Sequence, residues 1–416
     1  MSNDLTASRR IARTLFAAQS LGSAAVVAVF PIVAIAGARL SGHPSWAGVP
    51  ATGYQVGAAA AALGWGRLMD PLGRRGVLLL GMLLGVAGSA AAGWAILSRS
   101  FGLFLAGGVL LGAAVSAVQL SRFVAAEVHP PDQRGRALST VVLGGTLGAV
   151  LGPLMAGPAS RLAAHAGLDE LSGPYAACAL LFLAGGAVVF LGLRPEPRDL
   201  ARALAGGSSD PAAGSGGRRL REISSAPGVQ VATTAMVFGQ LVMVMLMVIT
   251  PLHMREHRHA VTSISVVISA HVVGMYAFSV ISGRLADRVG RGPVILAGAA
   301  GLILAALAAT LSPRVLPMAV ALFLLGVGWN FCYVGGSTLL ADQLSPGERA
   351  RTQGLNDLLI GLASAAGSAG SGVVFAAAGY DVMGLVAVLG ACVPLVLAAL
   401  NRADGPRVKV AAGPGA

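Results

Sequence analysis

Lysine is all but missing from this sequence: Lys409 stands alone against 28 arginines, and charged residues of all kinds make up only 11% of the 416 positions. An ordinary soluble domain carries about 25%, so a fully wetted surface around a compact interior is excluded. The scarcity also removes whole classes of chemistry. There is no GxxxxGK[ST] phosphate loop, and so no ATP-driven machinery on this chain. No HExxH and no CxxC occurs, which removes the common zinc-protease and dithiol arrangements. The cysteines, Cys178, Cys332 and Cys392, lie inside apolar runs and read as packing residues, not as disulfides or metal ligands. No loop is large enough to be a sensing domain, which argues against a receptor.

What the chain does have is apolar length. Hydrophobic residues make up 55% of it and its mean hydropathy is +0.77. A membrane-crossing helix needs about 20 mostly apolar residues. Twelve segments qualify: 14–37, 47–68, 76–97, 102–125, 138–160, 174–193, 228–251, 262–283, 293–312, 316–340, 353–378 and 382–401. The first follows Ser8-Arg9-Arg10 but is too long for the apolar core of a signal peptide, and reads as an uncleaved span. With the N-terminus inside, 23 of the positive residues fall on cytoplasmic segments and 6 on outer loops. That strong bias fixes the orientation and accounts for the net charge of +12 without nucleic acid. Glycine, at 58 residues, suits close helix approach in lipid.

A polar stretch over 194–227, rich in Gly and Ser at 206–209 and 214–217, reads as a flexible cytoplasmic linker. It separates residues 1–193, a six-helix bundle, from 228–402, a second one, with 403–416 as a cytoplasmic tail. The two halves repeat one another. Gly66-Arg67-Leu68-Met69-Asp70-Pro71-Leu72-Gly73-Arg74-Arg75 returns 217 residues later as Gly283-Arg284-Leu285-Ala286-Asp287-Arg288-Val289-Gly290-Arg291-Gly292. Pro131-Asp132-Gln133-Arg134-Gly135-Arg136 returns at an offset of 215 as Pro346-Gly347-Glu348-Arg349-Ala350-Arg351, and the same offset pairs Glu127 with Asp342. A weaker match sets Gln19 and Pro31 against Gln240 and Pro251. Matches at nearly one spacing mark an internal duplication. The fold class predicted is therefore an all-α membrane protein of twelve spans in two pseudo-symmetric six-helix bundles, with both termini cytoplasmic.

These paired loops resemble the signature of the major facilitator superfamily, Gly-x-x-x-Asp-(Arg/Lys)-x-Gly-(Arg/Lys)-(Arg/Lys). It is matched at Gly66, Asp70, Gly73, Arg74 and Arg75, with Pro71 in place of a basic residue, and again at Gly283, Asp287, Arg288, Gly290 and Arg291. The resemblance implies alternating access and a cytoplasmic gate built from these loops and Arg67. The plainer reading is that the arginines only enforce topology. Span five carries Gly148, Gly152, Pro153 and Gly157, which resembles the family's antiporter signature and implies proton-coupled export of small organic or lipophilic molecules. Uptake or facilitated movement of a metabolite is the alternative, and ordinary helix packing is the plainer account of those glycines.

The family's arginine in span four is absent, since residues 102–118 carry no charge. Candidates for a proton or substrate site are then Asp357 and Asn356 in span eleven, His271 in span eight, and the polar groups of spans one, four, seven and ten: Gln19, Gln119, Gln240, Asn330 and Tyr333. Such a wall is mostly apolar with few polar groups, which suits a lipophilic solute better than a polyanionic one. The loop His253-Met254-Arg255-Glu256-His257-Arg258-His259 invites a metal reading, but its arginines would repel a cation. The sequence thus calls for a small-molecule substrate, protons and surrounding lipid in a bacterial inner membrane. It calls for no cofactor, no metal, no nucleic acid and no second copy.

Overall fold

The computed structural model describes residues 2–130, 133–204 and 218–401. Regular structure among them is helical throughout: α1 (Ser2–Ser41), a single 3-10 turn at Pro44–Trp46, α2 (Val49–Leu97), α3 (Phe101–Val118), α4 (Ser121–Glu127), α5 (Arg134–His165), α6 (Ser172–Gly192), α7 (Pro197–Leu204), α8 (Leu220–Ser224), α9 (Pro227–Glu256), α10 (Val261–Tyr276), α11 (Ser279–Val289), α12 (Arg291–Leu311), α13 (Val315–Asp342) and α14 (Pro346–Leu400). Lipid offers a backbone no hydrogen bonds, so a segment that crosses it must satisfy its own N–H and C=O groups. Nine helical stretches among the described residues are long and apolar enough to cross a membrane, or ten when α10 and α11, bent by 40°, count as one. The chain is a multi-pass membrane protein.

Two helices are too long for one crossing. At 1.5 Å per residue, α2 and α14 would run roughly 73 and 82 Å if straight, against an apolar layer of about 30 Å. Each breaks at a glycine: Gly73 has φ 73 and ψ 171, and Gly379 has φ 80 and ψ −179. Only glycine enters that region freely. The apolar run at 102–125 is also divided, by a turn at Gln119–Leu120 that separates α3 from α4.

The chain forms two compact units. The first gathers Met1–Asp210 with Val248–Ser269 and Ser368–Ala377. In it α1 packs on α5 and α6, and α2 on α3 and α6. Gly144, Gly148 and Gly152, one turn apart on α5, press against the backbone of α1. A Cβ at these positions would stand 2.7 Å from the Phe16 oxygen, 2.0 Å from the Ser20 oxygen and 2.6 Å from the Ala24 oxygen. The α2–α3 crossing is equally close, since a Cβ on Gly57 would stand 2.1 Å from the Val109 oxygen.

The second unit gathers Pro211–Met247, Ala270–Gly367 and Ala378–Ala416, and in it α12 and α11 pack on α13. It repeats the same devices. A Cβ on Gly274, 217 residues after Gly57, would stand 2.3 Å from the Phe323 oxygen; one on Gly367, 215 after Gly152, would stand 3.0 Å from the Leu241 oxygen. These close contacts recur at the same offsets as the loop motifs.

The ends of the 194–227 segment depart from the featureless linker expected. Residues 197–204 and 220–224 are helical, and each end is held by a side chain described below, Glu196 at the first and Arg218 at the second. The Gly-Ser centre at 205–217 and the tail beyond 401 lie outside the described residues.

Close packing predicts a contrast between two glycines. Gly148→Ala must push α5 off α1 and should lower the apparent melting temperature, by the ~1–3 kcal/mol typical of overpacking. Gly361→Ala, with nothing within 4 Å of its added Cβ, should be neutral or slightly stabilising. Thermal unfolding of the two purified variants checks this.

Candidate functional site

The duplicated loop motif builds the same clasp twice. In the first unit the Gly73 break turns the chain, and Arg74 then reaches across to the end of α4. Its Nε donates to Glu127 Oε2 at 3.0 Å and its Nη2 to Glu127 Oε1 at 3.3 Å, while Nη1 donates to the Met69 carbonyl at 3.3 Å. In the second unit Gly290, with φ 98 and ψ 160, makes the equivalent turn. Arg291 Nε donates to Asp342 Oδ2 at 2.9 Å at the end of α13, and Nη1 donates to the Ala286 carbonyl at 2.7 Å. Both carboxylates stand at a helix C-terminus, where the macrodipole is negative and an acid is unwelcome. The arginine fork makes each tolerable. Each clasp lies within its own unit.

Around these arginines the motif positions divide. Asp287 pairs with Arg291 at 3.1 Å. Arg67, Arg284 and Arg288 are exposed, and Gly283 has open space beside it. Gly66 lies on α2; the side chain of Asp70 lies outside the described residues. Arg75 Nη2 donates to the Phe190 carbonyl at 2.7 Å, with the guanidinium 5.0 Å from the Phe190 ring centre.

Sequence reasoning missed Glu196. Its Oε1 accepts from the backbone N–H of Arg74 at 2.6 Å and of Arg75 at 3.4 Å. These are free N–H groups at the restart of the helix, which favour an anion. A Cβ on Gly73 would stand 2.9 Å from that same oxygen, so the motif glycine leaves room for a carboxylate as well as making the turn. In the second unit Glu348, buried in the first turn of α14, accepts from Arg218 N at 2.9 Å and from its Nε and Nη2 at 3.0 Å each. It also accepts from Ser345 N at 3.0 Å. The Arg218 guanidinium first, then the backbone N–H of Ser345, hold this carboxyl far below the usual carboxylate range.

The polar groups of the spans fall into distinct roles. Gln240 on α9 accepts from Trp329 Nε1 at 2.8 Å and donates to Ser364 Oγ at 3.3 Å. Tyr333 stacks on Trp329, ring centres 5.0 Å apart and 19° between planes. Together they make a half-exposed aromatic platform beside one amide, with no formal charge. Asn330 is buried on the break between α10 and α11. Its Nδ2 donates to the Met275 carbonyl at 2.7 Å and to Ser279 Oγ at 2.9 Å, and its Oδ1 accepts from Ser282 at 2.6 Å. It replaces the helix hydrogen bond that the break removes. Gln119 is an exposed residue at the end of α3. Gln19 donates weakly to Ser23 at 3.5 Å. His271 is fully buried and donates from Nδ1 to the Leu322 carbonyl at 2.9 Å, at the tight α10–α13 crossing. Asn356 is buried, whereas Asp357, next to it on α14, is exposed.

Of the span-five positions, Gly148 and Gly152 face α1, and Pro153 is buried between them and Gly157. Gly157 meets the start of α10, where its Cβ would stand 2.5 Å from Thr262 Oγ1, and Arg161 Nη1 donates to that hydroxyl at 2.9 Å. In the same unit Gly48, before α2, abuts Ser368, and Gly372 abuts Ser45. Arg255 pairs with Glu170. These contacts, called the latch below, all lie within the first unit.

The sequence profile described as Major Facilitator Superfamily matches residues 15–243 and again 232–415. Over 379 residues the chain is 32% identical to a Bacillus subtilis (strain 168) protein named as the uncharacterized MFS-type transporter YdeG, covering 90% of this chain and 88% of that one. Over 403 residues it is 30% identical to the riboflavin transporter RfnT of Brucella anthropi, covering 95% and 97%. Among solved structures, a bacterial homolog of the human lysosomal transporter Spinster shares the fold at a TM-score of 0.66 and 16% identity, with 95% and 96% covered.

Two outcomes are expected from this geometry. Arg74→Gln should destabilise more than Glu127→Gln, because it strands an acid at a helix end. The double variant should lose less than the sum, with a coupling of about 0.5–3 kcal/mol in a double-mutant cycle of thermal stability. For Glu348 the sign follows from its lowered proton affinity. Its stabilisation is complete above the ordinary carboxylate value of about 4.3 and fades as pH falls below it. Glu348→Gln should therefore melt lower than the wild type at pH 7, and the gap should narrow in a pH series descending below about 4.3.

Proposed function

The chain belongs to the major facilitator superfamily, a family of transporters and not of enzymes, and on that premise we propose that it is a secondary active transporter moving small, uncharged or weakly charged organic molecules by alternating access. The observation that carries the substrate class is the Trp329–Tyr333 stack held by Gln240. A flat aromatic platform with a single amide selects ring-bearing, lipophilic solutes. It offers nothing to balance a phosphate or a polyanion. Riboflavin, named for the Brucella anthropi relative, has a flat ring system of that kind.

The same proposal divides α2 at Gly73 and α14 at Gly379, and counts α3–α4 and α10–α11 as one broken span each. That gives twelve spans, six per repeat, with both termini on the cytoplasmic face of a bacterial inner membrane and a single copy as the working unit. Six spans per repeat put both clasps on the cytoplasmic face, with the latch of Gly48, Gly157, Gly372 and Arg161 on the outer one. Opening to the outside requires the latch contacts to part. The clasps keep each end of the inner face rigid while it does so.

Proton-coupled export is the direction implied by the span-five signature. Between the two titratable candidates, exposure favours Asp357, since His271 is sealed in a helix crossing. Uptake is the second reading. It is favoured by the use of Gly148 and Gly152 as contacts to α1, which leaves the signature without a part in direction, and by the full-length similarity to RfnT.

Accumulation of labelled riboflavin and of a lipophilic aromatic dye, measured in cells lacking their own carriers and with and without a protonophore, decides among these. Protein-dependent movement of either compound is expected, with Trp329→Ala lowering the rate by about tenfold, the loss of roughly 1.4 kcal/mol of contact. Lower accumulation that the protonophore reverses establishes export, and Asp357→Asn should then abolish the proton dependence. Higher accumulation establishes uptake. Movement of neither compound would overturn the substrate class.

A further inference from the structure

A pocket of about 300 Å³ lies in the second unit, lined by α8, the first turns of α9, the α14 stretch from Thr352 to Leu359, and Leu397. None of the Gln240 platform lines it, and its reading does not depend on the direction of transport. Two polar atoms among its lining residues are buried without a hydrogen-bond partner: Thr352 Oγ1 and Asn356 Oδ1. Each residue is only 5% exposed, and they stand one turn apart on the same face of α14. The Asn356 amide nitrogen donates to Met236 Sδ at 3.6 Å, which leaves the buried oxygen as its unpartnered atom, and that oxygen can only accept. Thr233, Thr234 and Gln230 of α9 also line the pocket.

The rest of the lining decides what kind of donor fits. Among the described residues no charged side chain lines the pocket, and its other walls are Ser224 with leucine, isoleucine and valine. A carboxylate, phosphate or ammonium would be desolvated there with no counter-charge. The occupant must be neutral, must offer a hydrogen-bond donor, and must carry an apolar body. From the pocket edge at Leu355 and Leu359, α14 continues as an apolar ridge through Leu358 and Leu362, 55% and 58% exposed. A hydrocarbon chain leaving the pocket has that ridge to follow.

We propose that this pocket is a lipid site: it takes the hydroxyl-bearing head of a neutral amphiphile from the surrounding membrane, with Asn356 and Thr352 as its hydrogen-bond partners and the α14 ridge as the track for its tail. Buried polar atoms are almost always satisfied, and a lipid hydroxyl satisfies both of these at once. Since α8 forms one wall and is tied to the chain beside Arg218 and Glu348, occupancy would also brace that end of the inter-repeat segment.

The test uses the full-length protein in discs of phosphatidylcholine, a lipid whose headgroup has no hydrogen-bond donor. The probe is a monoacylglycerol with a photoactivatable diazirine in its chain. Labelled peptides are expected from residues 220–234 and 352–362. Unlabelled monoolein should compete for that labelling, and methyl oleate, with the same chain and no hydroxyl, should not. Thr352→Val, close to isosteric, and Asn356→Leu should each lower labelling by about tenfold, the loss of one good hydrogen bond. Thr352→Val decides the matter if Asn356→Leu fails to fold. Label spread over many helices, equal competition by methyl oleate, or full labelling of Thr352→Val would overturn the proposal.

Discussion

Helices in lipid gain nothing by hiding apolar side chains from a solvent that is itself apolar. Everything in this molecule that holds one helix to another must therefore come from close contact or from polar groups. The glycine seams supply the first. Gly148 against Ser20 and Gly57 against Val109 bring backbone to backbone, at distances that no larger residue permits. The seams recur at Gly274 and Gly367 in the second unit. This explains the abundance of glycine physically, whatever genomic bias also contributes.

Polar groups supply the second, and they concentrate where the helices break or end. Asn330 covers the carbonyl freed between α10 and α11. Arg74 and Arg291 neutralise the acids that close α4 and α13. Glu196 and Glu348 each stand at the start of a helix and accept its free N–H groups. Among the described residues of the spans, Gln240, Trp329 and Tyr333 form one aromatic-and-amide platform that carries no formal charge, and the substrate class proposed above rests on it.

Much of this was legible in the sequence because length and repetition are long-range signals. Apolar runs of about 20 residues mark spans without any knowledge of packing, and an offset of 217 marks a duplication. The Gly73 and Gly290 turns were visible as motif glycines. Partners were harder. Glu127 and Asp342 were seen only as a repeated pair, because nothing in linear sequence shows that the chain folds Arg74 and Arg291 back onto them. Glu196 sits in a Pro-rich stretch that reads as linker, and only the geometry shows its oxygen where a Gly73 side chain would be. The break at Gln119–Leu120 was hidden for the same reason. Apolar composition is unchanged across it, so hydropathy sees one span. Asn330 reads from sequence as a candidate substrate-site group, and its use as a splint depends on a break that composition does not announce.

In the proposed topology of six spans per repeat, the Gly73-Arg74 and Gly290-Arg291 turns both meet the cytoplasm. Leu72 and Val289 occupy equivalent exposed positions beside the two turns, and replacing them leaves every charge in place. In a background with the three cysteines Cys178, Cys332 and Cys392 replaced, single Leu72→Cys and Val289→Cys variants can be treated with a membrane-impermeant maleimide in right-side-out and inverted vesicles. With six spans per repeat, both are expected to react in inverted vesicles and neither in right-side-out ones. Reaction of the two from opposite faces would contradict that topology, because the span count between the two turns would then be odd.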